Sequence, residues 1–254
     1  MPLRVSGRIT ARGTVSARSK SDHPHSLLLH RGKAANVDDT FVEVAETLGR
    51  GDVVIVSANA IDAQGNAAMM AGAPGGGIPG RGFTPLMTEG STVIIPAGLE
   101  KLIPGSIADA VLAAGRRSVD VAYGMAVGLM PIFGRVVTEV DAAEILGRVK
   151  AAIIGRGGLG EAAGATTMVI EGETTEAERV LDVVDRVKGA ATSAAPGSLE
   201  ECQRGSPGCA NHLACIHLRP RLRSKAPGAV LVVAAGDADA AKRVSAPGEE
   251  DKRG

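Results

Sequence analysis

Cys202, Cys209 and Cys215 are the only cysteines in the chain, and they fall together in ECQRGSPGCANHLACIH (201–217) with His212 between the last two. Three thiolates and an imidazole can close a tetrahedral zinc site. Three thiolates alone can hold an iron–sulfur cluster with one open iron. The Cys-x6-Cys-x2-His-x2-Cys spacing matches none of the standard zinc or ferredoxin runs, so packing of buried thiols is the competing reading. Arg204 and the basic run RPRLRSK (219–225) lie close enough in sequence to ease thiol deprotonation. Ser206, Pro207 and Gly208 let the chain turn back on itself. A zinc or Fe–S centre on Cys202, Cys209, His212 and Cys215 is therefore expected, and the basic run reads as a solvated strip rather than an RNA site.

A second set of chemical groups follows the apolar run DVVIV in SANAIDAQGNAAMMAGAPGGGIPGRG (57–82). Asn59, Asp62, Gly65 and Asn66 suit tight turns and also suit binding to hydroxyls or carbonyls. Gly75, Gly76 and Gly77 can offer unblocked backbone N–H groups as an anion nest. Met69 and Met70 argue against a purely solvated linker. Further on, GRGGLG (155–160) has the G-x-G-x-x-G spacing after an apolar run. The residues that follow leave too little room for a helix, and Glu171 comes too early to be the acidic partner of a dinucleotide fingerprint. Gly157 and Gly158 read instead as a turn lining the same cleft. Glu100 and Lys101 are an acid and a cation placed to stand at its mouth.

The elements that must position these groups alternate in type. NVDDTFVEVAETLGRG (36–51) carries acidic residues early and Phe41, Val44, Ala45 and Leu48 on one face, as an amphipathic helix does. DVVIVSA (52–58), STVIIPAG (91–98) and KAAIIG (150–155) are short apolar runs of the kind found in buried parallel strands. They are expected to lie next to or near one another in one sheet. A helix is predicted from about Ser106, another over TEVDAAEILGRV, and a third over TTEAERVLDVVDRVKG with Val180, Val183, Val184 and Val187 toward the core. ATTMVIEG (165–172) reads as a strand. The apolar stretch 118–137 does not divide by pattern.

VVIVSANAIDAQGNA and STVIIPAGLEKLIPGSIADAV together resemble the NagB/RpiA/CoA-transferase-like superfamily. The second segment is similar to its lactate-utilisation (LUD) branch, in which a strand leads into a stretch matched here by Gly98, Leu99, Glu100, Lys101, Leu102, Ile103 and Pro104. The resemblance covers about residues 37–172. It implies an open α/β sheet and a small metabolite such as a sugar phosphate, an organic acid or a CoA ester. The sugar-isomerising members carry Gly-Ala-Asp where this chain has Ser57, Ala58 and Asn59, and Asn cannot act as a general acid or base. Glu89-Gly90 is the nearest analogue of the Glu-Gly loop that CoA transferases use. Glu89, Glu100 and Lys101 are thus the implied catalytic candidates.

Composition narrows the remaining choices. Lys plus Arg and Asp plus Glu both number 28, so no basic field invites nucleic acid or anionic membrane. Aromatic residues are only 2%, too few for base-stacking platforms. No run reaches the roughly 18 apolar residues of a membrane span. The basic start lacks an apolar signal-peptide core, and Val5, Ile9 and Val15 are spaced like a short hairpin rather than a transit peptide. An odd, clustered set of cysteines suits a reducing cytoplasm.

The fold class expected is α/β: a mostly parallel Rossmann-like sheet with helices on both faces, plus a small α+β C-terminal portion. Its parts are a weakly ordered extension (1–35), an α/β ligand-binding domain (36–155), a small α+β portion (156–190), a Cys/His loop region (191–225) and a loose tail (226–254). The function expected is a cytoplasmic, enzyme-like protein that binds a small anionic metabolite over the Gly-rich stretch. A non-catalytic ligand sensor or a metal protein on the same fold is the alternative. A homo-oligomer is compatible with either.

Overall fold

The computed structural model describes residues 2–16, 23–204, 207–218 and 231–232. Ser206, the 219–225 basic run and the tail from 226, apart from Leu231–Val232, lie outside the described residues. The chain is a mixed α/β protein built around a three-stranded parallel sheet. Its strands are β5 (Val53–Ile55), β8 (Thr92–Pro96) and β11 (Arg135–Val137), in the order β11-β8-β5. Helices α1 (Phe41–Ala45) and α2 (Gly77–Thr88) pack together beside it. Ala45, Phe83, Leu86, Val93, Ile95 and Ile132 form the main core there.

Among the described residues five strand pairings are antiparallel and three parallel, so the sheet is less parallel than expected. A second sheet has the order β10-β7-β6, with β6 (Ala60–Ile61), β7 (Ala67–Ala71) and β10 (Gly128–Ile132) all antiparallel. Helix α3 (Ile107–Ala113) packs on β10 and is capped by Ser106, whose hydroxyl accepts from the Asp109 N–H. That start is where the sequence places it. The undivided stretch 118–137 yields β9 (Val121–Ala122), β10 and β11.

The strand expected at KAAII does not join the parallel sheet. It is β12 (Lys150–Gly157), and it pairs antiparallel with β13 (Ala165–Glu171), while β11 takes the third place beside β8. The short connection to β13 sets that antiparallel pairing. Residues 158–164 cannot hold the crossover that a parallel partner requires. Burial alternates along β12, with Ile153 half-buried and Ile154 67% exposed, so the run is covered on one face only. That covered face meets α4 (Glu139–Gly147) and α5 (Thr174–Val187) in a small core of Ala143, Val149 and Val180. Of the four valines expected to face the core from α5, Val180 is buried and Val183 half-buried, while Val184 and Val187 are exposed. Helix α4 begins where Asp141 accepts from the Thr138 N–H and hydroxyl. Burial would raise the Asp141 carboxyl, but these bonds hold it below the usual range.

Helix α2 is the largest departure from the sequence reading, which treats 57–82 as one Gly-rich loop. Glycine and proline oppose helix by about 1 and 3 kcal/mol per residue, and GIPGRGFTPLMT holds three glycines and two prolines. Packing overrides them. Phe83 and Leu86 are buried, and a Cβ on Gly82 would land on the Phe41 ring. Pro79 falls in the first turn, where its missing N–H costs little.

The first 35 residues, weakly patterned in sequence, form two hairpins: β1 (Gly7–Thr10) with β2 (Gly13–Ser16), and β3 (Leu27–His30) with β4 (Lys33–Asn36). Asp38 secures the second by accepting from the His25 and Ser26 N–H groups and from Arg4 at 3.2 Å. Strand β9 pairs parallel with β14 (Leu231–Val232).

Candidate functional site

Parallel strands end at a common edge, and in open α/β sheets ligands sit there. Beyond β5 comes Val56–Asn59, beyond β8 comes Ala97–Lys101, and beyond β11 come Thr138 and Glu139. Helix α2 runs back to the start of β8, so its N-terminus lies toward the same edge. The turn after β8 is a 3-10 turn at Leu99–Lys101 that follows Gly98. Glu139 holds it: its two carboxylate oxygens accept from the Leu99 N–H at 2.9 and 3.2 Å.

Glu100 and Lys101 are brought together at this edge, with Lys101 Nζ 3.6 Å from Glu100 Oε1 and both side chains partly open to solvent. The Glu100 carboxylate folds over the backbone of Gly98, where a Cβ would collide with it. Gly164, on the far side of the β12–β13 tip, comes within 3.3 Å of the Glu100 Cβ when a Cβ is built on it. Gly157 and Gly158 belong to the same tip. Gly158 packs its own position against the Ala162 carbonyl, so its close approach is to backbone within the tip.

Asn59, Asp62, Gly65 and Asn66 come together, but on one another. The Asn59 side chain accepts from the Met70 N–H at 2.8 Å and its N–H donates to the Ala68 carbonyl, which fixes β6 against β7. Asp62 is 4% exposed. Its carboxylate accepts from the Gln64 N–H, the Asn66 N–H, the Asn66 side chain and the Ile107 N–H at the start of α3. Burial pushes the Asp62 carboxyl up, and these donors more than reverse that, so it lies below the ordinary value. Gly65 supplies the left-handed turn residue, with φ at 83°.

Gly75, Gly76 and Gly77 all have positive φ, where a nest alternates right- and left-handed residues, and they lead into α2 rather than an open loop. The Gly76 N–H already donates to the Ala73 carbonyl and the Gly77 N–H to Pro74. Glu89 stands apart from Glu100 and Lys101. It caps the C-terminus of α2, beside the beginning of β8, at the opposite end of the sheet.

The Cys/His segment docks on the loop 121–126. The Ala122 N–H donates to Ala214, Ala126 to Leu213 and Ile216 to Ala122. Cys215 is buried, and Cys202 and Cys209 are half-buried. The thiols of Cys202 and Cys209 both point to the Gln203 carbonyl oxygen at 4.0 Å. Burial pushes the Cys215 thiol up; N–H groups of His217 and Leu218 oppose that shift, and the charges of Cys202 and Cys209 add to it. His212 faces elsewhere. Its Nε2 lies 3.2 Å from Ser16 Oγ, and burial, then the nearby Arg116 charge, lowers its pKa. Among the described residues no three His, Cys, Asp or Glu side chains close on one point as a single metal ion requires.

Sequence reasoning misses Glu139 and Arg116. Glu139 reads locally as an ordinary first-turn acid of α4, and its reach to Leu99 spans 40 residues. Arg116 donates to the Gly72 carbonyl at 2.8 Å and the Asn211 carbonyl at 3.1 Å, joining the approach to α2 with the Cys/His segment. No local pattern signals either contact. Set beside known proteins, the chain has no significant match to a family model, a curated protein or a solved structure.

Proposed function

We infer that the chain binds a small anionic metabolite at the carboxyl edge of the β5-β8-β11 sheet, with Lys101 as the cation that meets the anion and Glu100 as the adjacent acid. One observation carries this reading: the turn 98–101 is pinned by Glu139 and left uncovered enough for Glu100 and Lys101 to reach a ligand. Gly98 and Gly164 keep the surroundings free of side chains where backbone must come close. A sugar phosphate, an organic acid or a CoA ester fits the charge, in line with the LUD resemblance of the same turn. Three cysteines, none in a disulfide, suit a reducing cytoplasm. No helix among the described residues is long and apolar enough to cross a membrane.

Binding without turnover is the second reading, and Asn59 and Asp62 favour it. Both are committed to backbone N–H groups, so neither is available to move a substrate proton. A thermal-shift screen against phosphorylated sugars, hydroxy acids and CoA esters tests binding, because a ligand at a hundred times its Kd stabilises by about 2.7 kcal/mol. Lys101→Ala is expected to weaken the response about tenfold or more without lowering the melting point of the unliganded protein. Turnover of any hit supports the enzyme reading, and binding with no turnover supports the sensor. No stabilisation by any anion refutes both.

A further inference from the structure

A two-stranded sheet has two edges, and those of β12 and β13 are built differently. Strand β12 carries Lys150 and Arg156 and a bulge between Ile153 and Gly155, the devices that keep an edge from pairing with another chain. Strand β13, ATTMVIE, has no proline and no cation, and the extra residue of the bulge is not its own. Among the described residues its only strand partner is β12, so one long edge rich in β-branched residues stands open. Val169 on that strand is 49% exposed.

The helix above this edge is open on the same side. Helix α4 lies against β12, and α5 lies beside α4, so α5 takes the β13 side of the layer. A Cβ on Gly147 of α4 would meet Val180 and the Glu176 carbonyl, which fixes the flank of α5 that faces α4. At 3.6 residues per turn, Leu181 stands about 140° round from Glu176, on the opposite flank. There Leu181 is 56% exposed, and Val184 and Val187 continue the apolar stripe in the open. The apolar strand nearest the chain end, Leu231–Val232, is already paired with β9 and does not close this side.

We propose that β13 and α5 form one two-fold interface with a second copy of this chain, in which the two β13 strands pair antiparallel and the two α5 helices meet above them. The result is a continuous β12-β13-β13-β12 sheet under a layer of four helices. A single axis serves both contacts. Val169 lies about 10 Å before the Gly172–Glu173 turn at 3.3 Å per residue, and Asp182 about 12 Å beyond it at 1.5 Å per residue. With the axis at Val169, that residue faces its own copy and Glu171 faces Thr167, so no like charges stand opposite one another. In the antiparallel helix pair, Glu178 of each copy approaches the end of the other that carries Arg186 and Lys188, and the charges are complementary. The proposal is independent of the metabolite reading.

The test is the molar mass of the full chain by light scattering and sedimentation across about 1–100 µM. The variants are Val169→Lys, Leu181→Glu, Lys188→Glu, Lys188→Glu combined with Glu178→Lys, and Ile154→Lys. All five positions are exposed, so the variants should keep the fold, as melting curves will show. The parent should form a concentration-dependent dimer. Val169→Lys sets two cations face to face at the axis, and it and Leu181→Glu should each weaken association about tenfold or more. Lys188→Glu should weaken it about threefold, and adding Glu178→Lys should restore it. Ile154→Lys, on β12, should leave it unchanged. In the parent, amide exchange over Thr167–Glu171 should slow as concentration rises, a readout that needs no variant. A monomer at every concentration overturns the proposal. A dimer unchanged in folded Val169→Lys or Leu181→Glu overturns it too, as does a dimer lost in folded Ile154→Lys.

Discussion

Replacing Asp62 by asparagine should cost the fold about 3 kcal/mol and leave the ligand response of the surviving folded protein unchanged. One carboxylate oxygen accepts from Gln64 and Asn66, and an amide oxygen can keep those bonds. The other accepts from the Ile107 N–H at 3.0 Å, in a buried position 45 residues away. That oxygen also accepts from the Asn66 side chain at 3.0 Å, so an amide NH2 there faces two donors, and both charge-assisted bonds are lost with no acceptor in their place. A bond to a charged group contributes about 1.5–3 kcal/mol, and an unsatisfied buried donor costs about 1–3 more. With a urea slope of about 2–3 kcal/mol per molar, the unfolding midpoint should fall by about 1–1.5 M. Hydrogen exchange should speed up first at Ile107. The acid limb supplies a second readout. The folded carboxyl lies below its unfolded value, so its contribution is complete above about pH 4 and disappears as pH drops through the folded pKa. The asparagine variant should lack that component of acid unfolding. A midpoint within about 0.5 kcal/mol of the parent, or a lost ligand response in a fully stable variant, would refute the assignment of Asp62 to the scaffold.

Three further substitutions probe the scaffold. Leu86→Ala, in a fully buried position of α2, should cost about 2–5 kcal/mol in chemical denaturation; a change under about 1 kcal/mol would mean that α2 is not seated in the main core. Gly124→Ala should displace the first hairpin, because Gly124 has φ at 80° and a Cβ would strike the Thr14 backbone. Exchange at Thr14 and Met125 should then rise while Ile95 stays protected. Ser106→Ala should cost about 1 kcal/mol through the lost cap of α3, measured by thermal unfolding, and unchanged stability would remove the cap from the account.

Much of the secondary structure is legible in the sequence because its signals are local. Ser106 with Asp109 starts α3, and the 3.6-residue period marks α4 and α5. Apolar runs mark β5, β8, β12 and β13. The illegible parts depend on distant partners. Helix α2 forms against its own propensity because Phe41 presents a ring to Gly82. The run in β5 suggests cover on both faces, yet Val53 and Ile55 are 60% and 70% exposed at the sheet edge. At the candidate site, the charges of Glu100 and Lys101 can be read directly, whereas the anchoring of their turn by Glu139 cannot. Asn59, Asp62 and Asn66 show why polar residues in a turn are ambiguous. The same oxygens that suit a ligand suit an N–H of the protein, and burial decides between them.

The loop 121–126 receives partners from both sides of the sequence, Thr14 from the first hairpin and Ala214 from the Cys/His segment. Thr14 and Tyr123 are 109 residues apart. On a ribosome adding about 5–20 residues per second, the first hairpin therefore waits on the order of 5–20 s for its dock to emerge. During that time Gly13 and Thr14 present an unpaired edge. The parallel sheet draws its strands from residues 53 to 137, so it can assemble while the Cys/His segment is still unmade. That segment closes over the loop after the sheet is complete, with β14 still to follow onto β9. The order in which the two partners reach the loop is thus set by the direction of synthesis.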